Sequence, residues 1–319
     1  MAVARSEFRH LIGRIDNDNA PHYFPLPAAL PTRLPIVRPD QLELDYDNLA
    51  TRLDADAPIL WAQFRHKERA CFTTELLADL RHFQGWLRDS FGHCQRQEMP
   101  FRYLVWGSRA AGAWNMGGNL AAFTRLIRDQ DEAGLRSYAY QCIDILHDNY
   151  LGMDMPVLTV ALIQGDAIGG GFEAMLANDL IIAERQAKFG LPEILFNLFP
   201  GMGAHSFLRR RVGDRVARQL IEDGRTRSAD ELHELGIVDI VCEPGTGEAT
   251  LRTLVEERGP RFATDLALKR ARQRTDPLSK SELIDITDMW VELALDLGEG
   301  ELRRMECLAR HQQRRRAQA

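Results

Sequence analysis

Two carboxylates, Glu173 and Glu193, stand 20 residues apart, each in a glycine-containing segment. The first closes Gln164-Gly165-Asp166-Ala167-Ile168-Gly169-Gly170-Gly171-Phe172-Glu173, and the second lies in Gly190-Leu191-Pro192-Glu193-Ile194-Leu195. Three consecutive glycines let the backbone approach a bound molecule closely and leave amide N–H groups free at a helix start. A carboxylate in the first turn of that helix reaches whatever the amides hold. The combination suits chemistry beside a carbonyl whose oxygen becomes negative in the transition state, with amides for the oxygen and carboxyls for the protons. Taken singly, each glutamate has a plainer reading: Glu173 as a first-turn residue favoured by the helix dipole, Glu193 as a surface loop charge. A phosphate cradle fits less well, because its glycines would be followed by Gly-Lys-Ser/Thr. Here Phe172-Glu173 sets an anion where the phosphate would lie, and Gly201-Met202-Gly203 is too short for a dinucleotide fingerprint.

The elements that must hold these residues can be read from hydrophobic spacing. The apolar run Pro156 to Ile163 predicts a strand leading into the glycines, followed by a short helix from Glu173 to Ala177 and a strand over Leu180–Ala183. Upstream, Leu42–Tyr46 alternates as a strand would, and Pro58–Phe64 and Arg102–Trp106 are further apolar runs. Thr73 or Thr74 caps a helix carrying Leu76, Leu77, Leu80, Phe83 and Leu87, and helical spacing resumes from Leu120 through about Leu151. Gly107 to Gly118 reads as a loop. Strand–loop–helix units in succession predict an α/β fold. Beyond about residue 244 the pattern is largely helical, with Leu283, Ile286, Trp290, Leu293 and Leu297 on one face. Pro21, Pro25, Pro27, Pro31, Pro35 and Pro39 punctuate the start of the chain too often for a helix or central strand. The expected organisation is therefore an extension over 1–38, a core over 39–243 and a helical region over 244–319.

Composition narrows the functional classes. The chain has 319 residues, 45% of them hydrophobic and 27% charged, with a net charge of −6. That balance gives no reason to expect nucleic acid as a partner, and no basic–aromatic motif appears. An acidic partner would need a local basic patch. Arg209-Arg210-Arg211 and Arg314-Arg315-Arg316 are the two candidates, with a solvated face as the plainer reading of both. The five cysteines are scattered and form no Cys-x-x-Cys pair, so neither zinc nor a disulfide framework is expected, and each reads as a small buried hydrophobe. No apolar run is long enough for a membrane span and no signal-peptide core is present, which predicts a cytoplasmic protein.

The two glutamate segments, joined by Ala113-Trp114-Asn115-Met116-Gly117-Gly118-Asn119-Leu120 in the same order, resemble the crotonase (enoyl-CoA hydratase and isomerase) superfamily over roughly residues 56 to 243. The resemblance implies a spiral of ββα units with C-terminal helices that cover the site and build a homotrimer or a dimer of trimers. It implies Glu173 and Glu193 as the catalytic pair, Gly118 and Gly170 as the amides of the oxyanion hole, and no metal, nicotinamide or other cofactor. By the same analogy Glu193 is the C2 base and Glu173 the acid in dehydration, with exchange of roles left open. Asn119 replaces an Asp common in the hydratases, so any contact needing a charge there is in doubt. Phe172, the run from Leu195 to Phe207 and Ile286-Thr287-Asp288-Met289-Trp290-Val291 are similar to the bacterial diffusible signal factor synthases. That branch implies dehydration of a 3-hydroxyacyl thioester of acyl carrier protein and hydrolysis to a free cis-2-unsaturated fatty acid. Met202, Trp290 and Leu308 match its acyl-pocket positions, although ordinary core packing accounts for each alone. The alternatives are an enoyl-CoA hydratase or isomerase of acyl-CoA metabolism, and a non-catalytic interaction protein, for instance one binding a signalling receiver domain. Retention of both glutamates weighs against the last.

Overall fold

A computed structural model describes Leu42 and residues 44–316, Glu68 excepted, with only the backbone for 309 and 311–316. The expected extension over 1–38 and the side chains of Arg314 to Arg316 lie outside the described residues. In chain order the elements are β1 (Leu49–Leu53), β2 (Ile59–Phe64), α1 (Thr74–Phe91), β3 (Tyr103–Ser108), β4 (Ala113–Asn115), α2 (Leu120–Arg128), α3 (Glu132–Leu151), β5 (Leu158–Ile163), β6 (Asp166–Ile168) and α4 (Gly170–Leu176). There follow β7 (Leu180–Glu184), β8 (Lys188–Gly190), a 3-10 turn (Pro192–Phe196), α5 (Ala204–Asp223), β9 (Arg227–Ser228), α6 (Ala229–Glu234), β10 (Ile240–Cys242), α7 (Gly247–Arg258), α8 (Phe262–Thr275), α9 (Lys280–Leu295) and α10 (Glu299–Arg316).

The strands form two sheets, one of six in the order β1-β2-β3-β5-β7-β10 and one of four in the order β4-β6-β8-β9. Successive pairs β3/β4, β5/β6 and β7/β8 each give one strand to either sheet before the chain turns into helix, which makes the ββα spiral. Pairing is parallel except at β1–β2 and β8–β9. Both faces of the large sheet are covered, which explains why its strands read as continuous apolar runs. Leu60, Leu104, Trp106, Ala161, Ile163 and Ile181 face α1, α3 and the small sheet. Ile59, Trp61, Tyr103, Val105, Val160 and Ile182 face α7 and α8 through Leu251, Val255, Phe262 and Leu266. The far helix is also held by a buried ion pair, Lys269 Nζ to Asp179 Oδ2 at 2.8 Å.

Several expectations need correction. Among the described residues of 42–46 no strand forms; Asp45 makes only an isolated bridge to Ala50, and the strand lies at β1, the sheet edge, where it pairs with β2. The Gly107–Gly118 loop contains β4. The helix expected over 120–151 is two helices, because Gln130 takes φ 51° and Asp131 caps α3 by accepting from Gly134 N at 2.9 Å. On α9 the buried face runs through Leu283, Thr287, Trp290, Val291 and Ala294, which turns Leu293 outward to 39% exposure. Cys71, Cys142 and Cys242 are buried, but Cys307 is exposed and Cys94 only half-buried. Arg209 to Arg211 is not a free patch: Arg209 stays exposed, but Arg210 and Arg211 are largely covered and all three are paired. Arg209 pairs with Asp276, Arg210 with Glu282, and Arg211 reaches Asp239 and the carbonyls of Ile237 and Asn178. Among the described residues no helix is long and apolar enough to cross a membrane.

Candidate active site

The small sheet ends where the glycines begin. Gly169 takes φ 55° and is tied to β8 by its N–H, which donates to Gly190 O at 2.8 Å. The positive φ favours glycine, and a Cβ there would sit 2.8 Å from Glu193 Oε1 and displace the carboxylate. Gly170 opens α4, and as the first helical residue its N–H has no partner within the helix. Glu173 follows in the first turn and is 1% exposed. Its Oε1 accepts from Met202 N at 2.8 Å and Ala204 N at 3.0 Å, so the loop before α5 holds the carboxylate.

Glu193 comes from the 3-10 turn, with Pro192 at its start and Asn197 in the left-handed region at its end. Its Oε2 is buried and makes no hydrogen bond. Burial pushes both carboxyls up, Glu173 to about 7 and Glu193 to about 8, the second also through repulsion by Glu173. Two backbone donors oppose the shift at Glu173. The pair therefore resists double ionisation near neutral pH, and the N–H donors favour the charge on Glu173 and the proton on Glu193.

An apolar cleft joins these groups. Its lining includes all seven residues singled out from the sequence: Glu173, Glu193, Gly118, Gly170, Met202, Trp290 and Leu308. Gly118 arrives on the β4–α2 loop and Trp290 and Leu308 on the C-terminal helices, so residues 190 positions apart share one wall. Sequence reasoning missed Phe123, Tyr138, Cys142, Phe196 and Met305, which are among the other residues of the lining. Tyr138 and Cys142 stand one helical turn apart on α3, and that spacing was the available signal. Among the described residues no group of three His, Cys, Asp or Glu is placed to hold a metal. The arrangement offers an apolar cleft with two buried carboxyls, both raised in pKa, beside glycine amides.

Residues 116–269, which carry the Gly118 loop, α4 and the Glu193 turn, match the enoyl-CoA hydratase/isomerase family. Over that stretch the chain is similar to the crotonase superfamily. It is 36% identical over 132 residues to the alpha subunit of the fatty acid oxidation complex of Idiomarina loihiensis, a match covering 40% of this chain and 17% of that one. The fold is similar to that of enoyl-CoA hydratase from Bacillus halodurans, at 23% identity and a TM-score of 0.66, covering 82% of this chain and all of the other. It is also similar to that of DspI from Pseudomonas aeruginosa, at 21% identity and a TM-score of 0.58, covering 78% and 96% of the two chains. In this crotonase fold each part of the site comes from a different turn of the spiral.

Proposed function

We propose that the chain interconverts 3-hydroxyacyl and 2-enoyl thioesters and, in the elimination direction, hydrolyses the product to a free cis-2-unsaturated fatty acid. The observation carrying this reading is the Glu173–Glu193 pair, buried at the end of an apolar tunnel beside Gly118 and Gly170. In elimination, Glu193 takes the C2 proton, the charge moves onto the thioester oxygen between the Gly118 and Gly170 amides, and Glu173 protonates the departing 3-hydroxyl. In hydrolysis, an ionised glutamate orients water toward the thioester carbon. The glutamate takes one proton of that water as C–O forms, the same amides receive the tetrahedral oxyanion, and the glutamate returns the proton to the thiolate as the C–S bond breaks. Met202, Trp290 and Leu308 hold the acyl chain. The thioester carrier is acyl carrier protein, and the working unit is a homotrimer or a dimer of trimers in the cytoplasm.

One observation favours a second reading, a hydratase or isomerase of acyl-CoA metabolism. With its charge on Glu173 and its proton on Glu193, the resting pair is set to add water to an enoyl thioester; elimination needs the proton moved across. Mass spectrometry separates the two. Purified protein given 3-hydroxyacyl thioesters of carrier protein and of CoA is expected to release free 2-enoic acid from the first. Hydration of enoyl-CoA with no free acid from either carrier would leave the second reading standing.

A further inference from the structure

The loop carrying Gly118 is held through its neighbours. Gly117 N donates to Asn115 Oδ1 at 2.8 Å, while Gly117 O accepts from Phe72 N at 2.8 Å. Gly117 C=O and Gly118 N–H belong to one planar trans peptide and point in opposite directions. The bond from Phe72 N therefore sets where the Gly118 N–H points. On the other side of Gly118, Asn119 N donates to the Tyr138 hydroxyl at 3.3 Å, and that hydroxyl donates to Phe72 O.

Phe72 and Gly118 are partners in an isolated parallel bridge. In such a bridge Asn119 N would bond Phe72 O directly, and here the Tyr138 oxygen is also engaged by both groups. Tyr138 is 6% exposed, and its ring stands edge-on to Phe123 at 5.0 Å. The Phe123 ring in turn lies against Gly118, where a Cβ would meet it at 2.5 Å. Burial raises the phenol's pKa well above its usual value, so the hydroxyl stays intact as both donor and acceptor.

We propose that Tyr138 is a positioning residue for the carbonyl-oxygen pocket: its hydroxyl clamps Phe72 O to Asn119 N–H and thereby fixes the peptide that presents the Gly118 N–H. The inference rests on the reading of Gly118 and Gly170 as donors to the thioester oxygen. Its logic is that of any preorganised donor, whose value depends on being held where the charge will form.

The test uses the full chain and 4-dimethylaminocinnamoyl-CoA, whose absorption moves to longer wavelength when its carbonyl is polarised by hydrogen-bond donors. Wild type is expected to shift the bound probe. Tyr138→Phe keeps the ring and loses the clamp. It is expected to bind the probe within about threefold of wild type, give a clearly smaller shift, and lower kcat by roughly 10- to 100-fold with little change in KM, somewhat less than loss of a whole oxyanion donor. Incorporating p-aminophenylalanine in place of Tyr138 keeps a donor for Phe72 O but offers Asn119 N–H a poor acceptor. It provides the same measurement should Tyr138→Phe fail to fold, and the same reduced shift is expected. A full probe shift in a folded variant, with only the melting temperature lowered, would mean that Tyr138 merely packs and would overturn the proposal. Wild type that binds the probe without shifting it would overturn the glycine-amide reading itself, and this inference with it.

Discussion

Glu173→Gln should stabilise the protein while removing its activity. The side chain is 1% exposed, and its carboxyl has a folded pKa of about 7 against an ordinary 4.5. Because the folded value is the higher one, the penalty for ionising it inside the fold is absent below about pH 4.5 and grows as the pH rises through about 7. At pH 8.5 that penalty has a ceiling of roughly 3 kcal/mol, at 1.36 kcal/mol for each pH unit between the two values. Glutamine keeps an oxygen for Met202 N and Ala204 N and cannot ionise. Urea unfolding of wild type and variant from pH 4.5 to 8.5 should therefore give curves that diverge with pH, wild type losing stability relative to the variant. The charge of Glu173 also raises the Glu193 carboxyl, so carbon NMR titration of Glu193 should show its pKa lowered in the variant, though still above 4.5 because burial persists. A variant that is less stable across the range, or a parallel pair of stability curves, would refute the idea of a buried carboxyl held at a cost.

Glu193→Gln, like Glu173→Gln, is expected to reduce release of 2-enoic acid by about 10²- to 10⁴-fold with the fold intact by circular dichroism; accumulation of enoyl thioester in only one variant would show that dehydration and hydrolysis use different groups. Gly169→Ala forces a side chain into the left-handed region and against Glu193, so a loss of more than about 1 kcal/mol by thermal melting should accompany lost turnover. Trp290→Ala empties a tunnel wall that packs on Phe123, with ring centroids 5.4 Å apart, and should cost about 3 kcal/mol in denaturant while shifting product profiles toward longer chains by mass spectrometry. Lys269→Met leaves Asp179 buried without its cation and should cost about 3–5 kcal/mol by the same unfolding assay, with turnover per folded molecule preserved.

What could be read from the sequence follows from how locally each feature is determined. The strand into the glycines, the first-turn glutamate and the cap at Thr73 are set by residues within one or two turns, and Thr73 does accept from Leu76 N at 3.2 Å. The two-sheet arrangement was not legible from spacing, because strands such as β4 and β6, at three residues each, are too short to show a period. Resemblance supplied the spiral where periodicity could not. Met202, Trp290 and Leu308 looked as much like core as like pocket, and both readings describe them, since the tunnel is an unfilled part of the core. Arg209 to Arg211 misled because a run of like charges says nothing about the acids and carbonyls that tertiary packing brings to it. The joint burial of Glu173 and Glu193 needed the third dimension, as neither residue's neighbours in sequence reveal it.

The wall that α10 contributes is fastened differently from the others. Met305 and Leu308 face the tunnel, but the helix's outer edge is tied by Arg128 to Glu299 at 2.8 Å and to Glu306 at 2.7 Å, and Asn197 reaches Glu301 at 3.1 Å. Arg128 and Glu299 are 37% and 56% exposed, in the range where an ion pair is worth about 0–1 kcal/mol and fades with added salt. The other walls come from the spiral and, through Trp290, from α9. Leu302 and Met305 anchor the same helix, α10, in the core, so its outer edge is the salt-sensitive part of that wall. Ionic strength becomes a control on traffic rather than on chemistry: salt should speed exchange of a bound acyl chain and of the α10 amide hydrogens together, and leave the rate of the bond-breaking steps where it was.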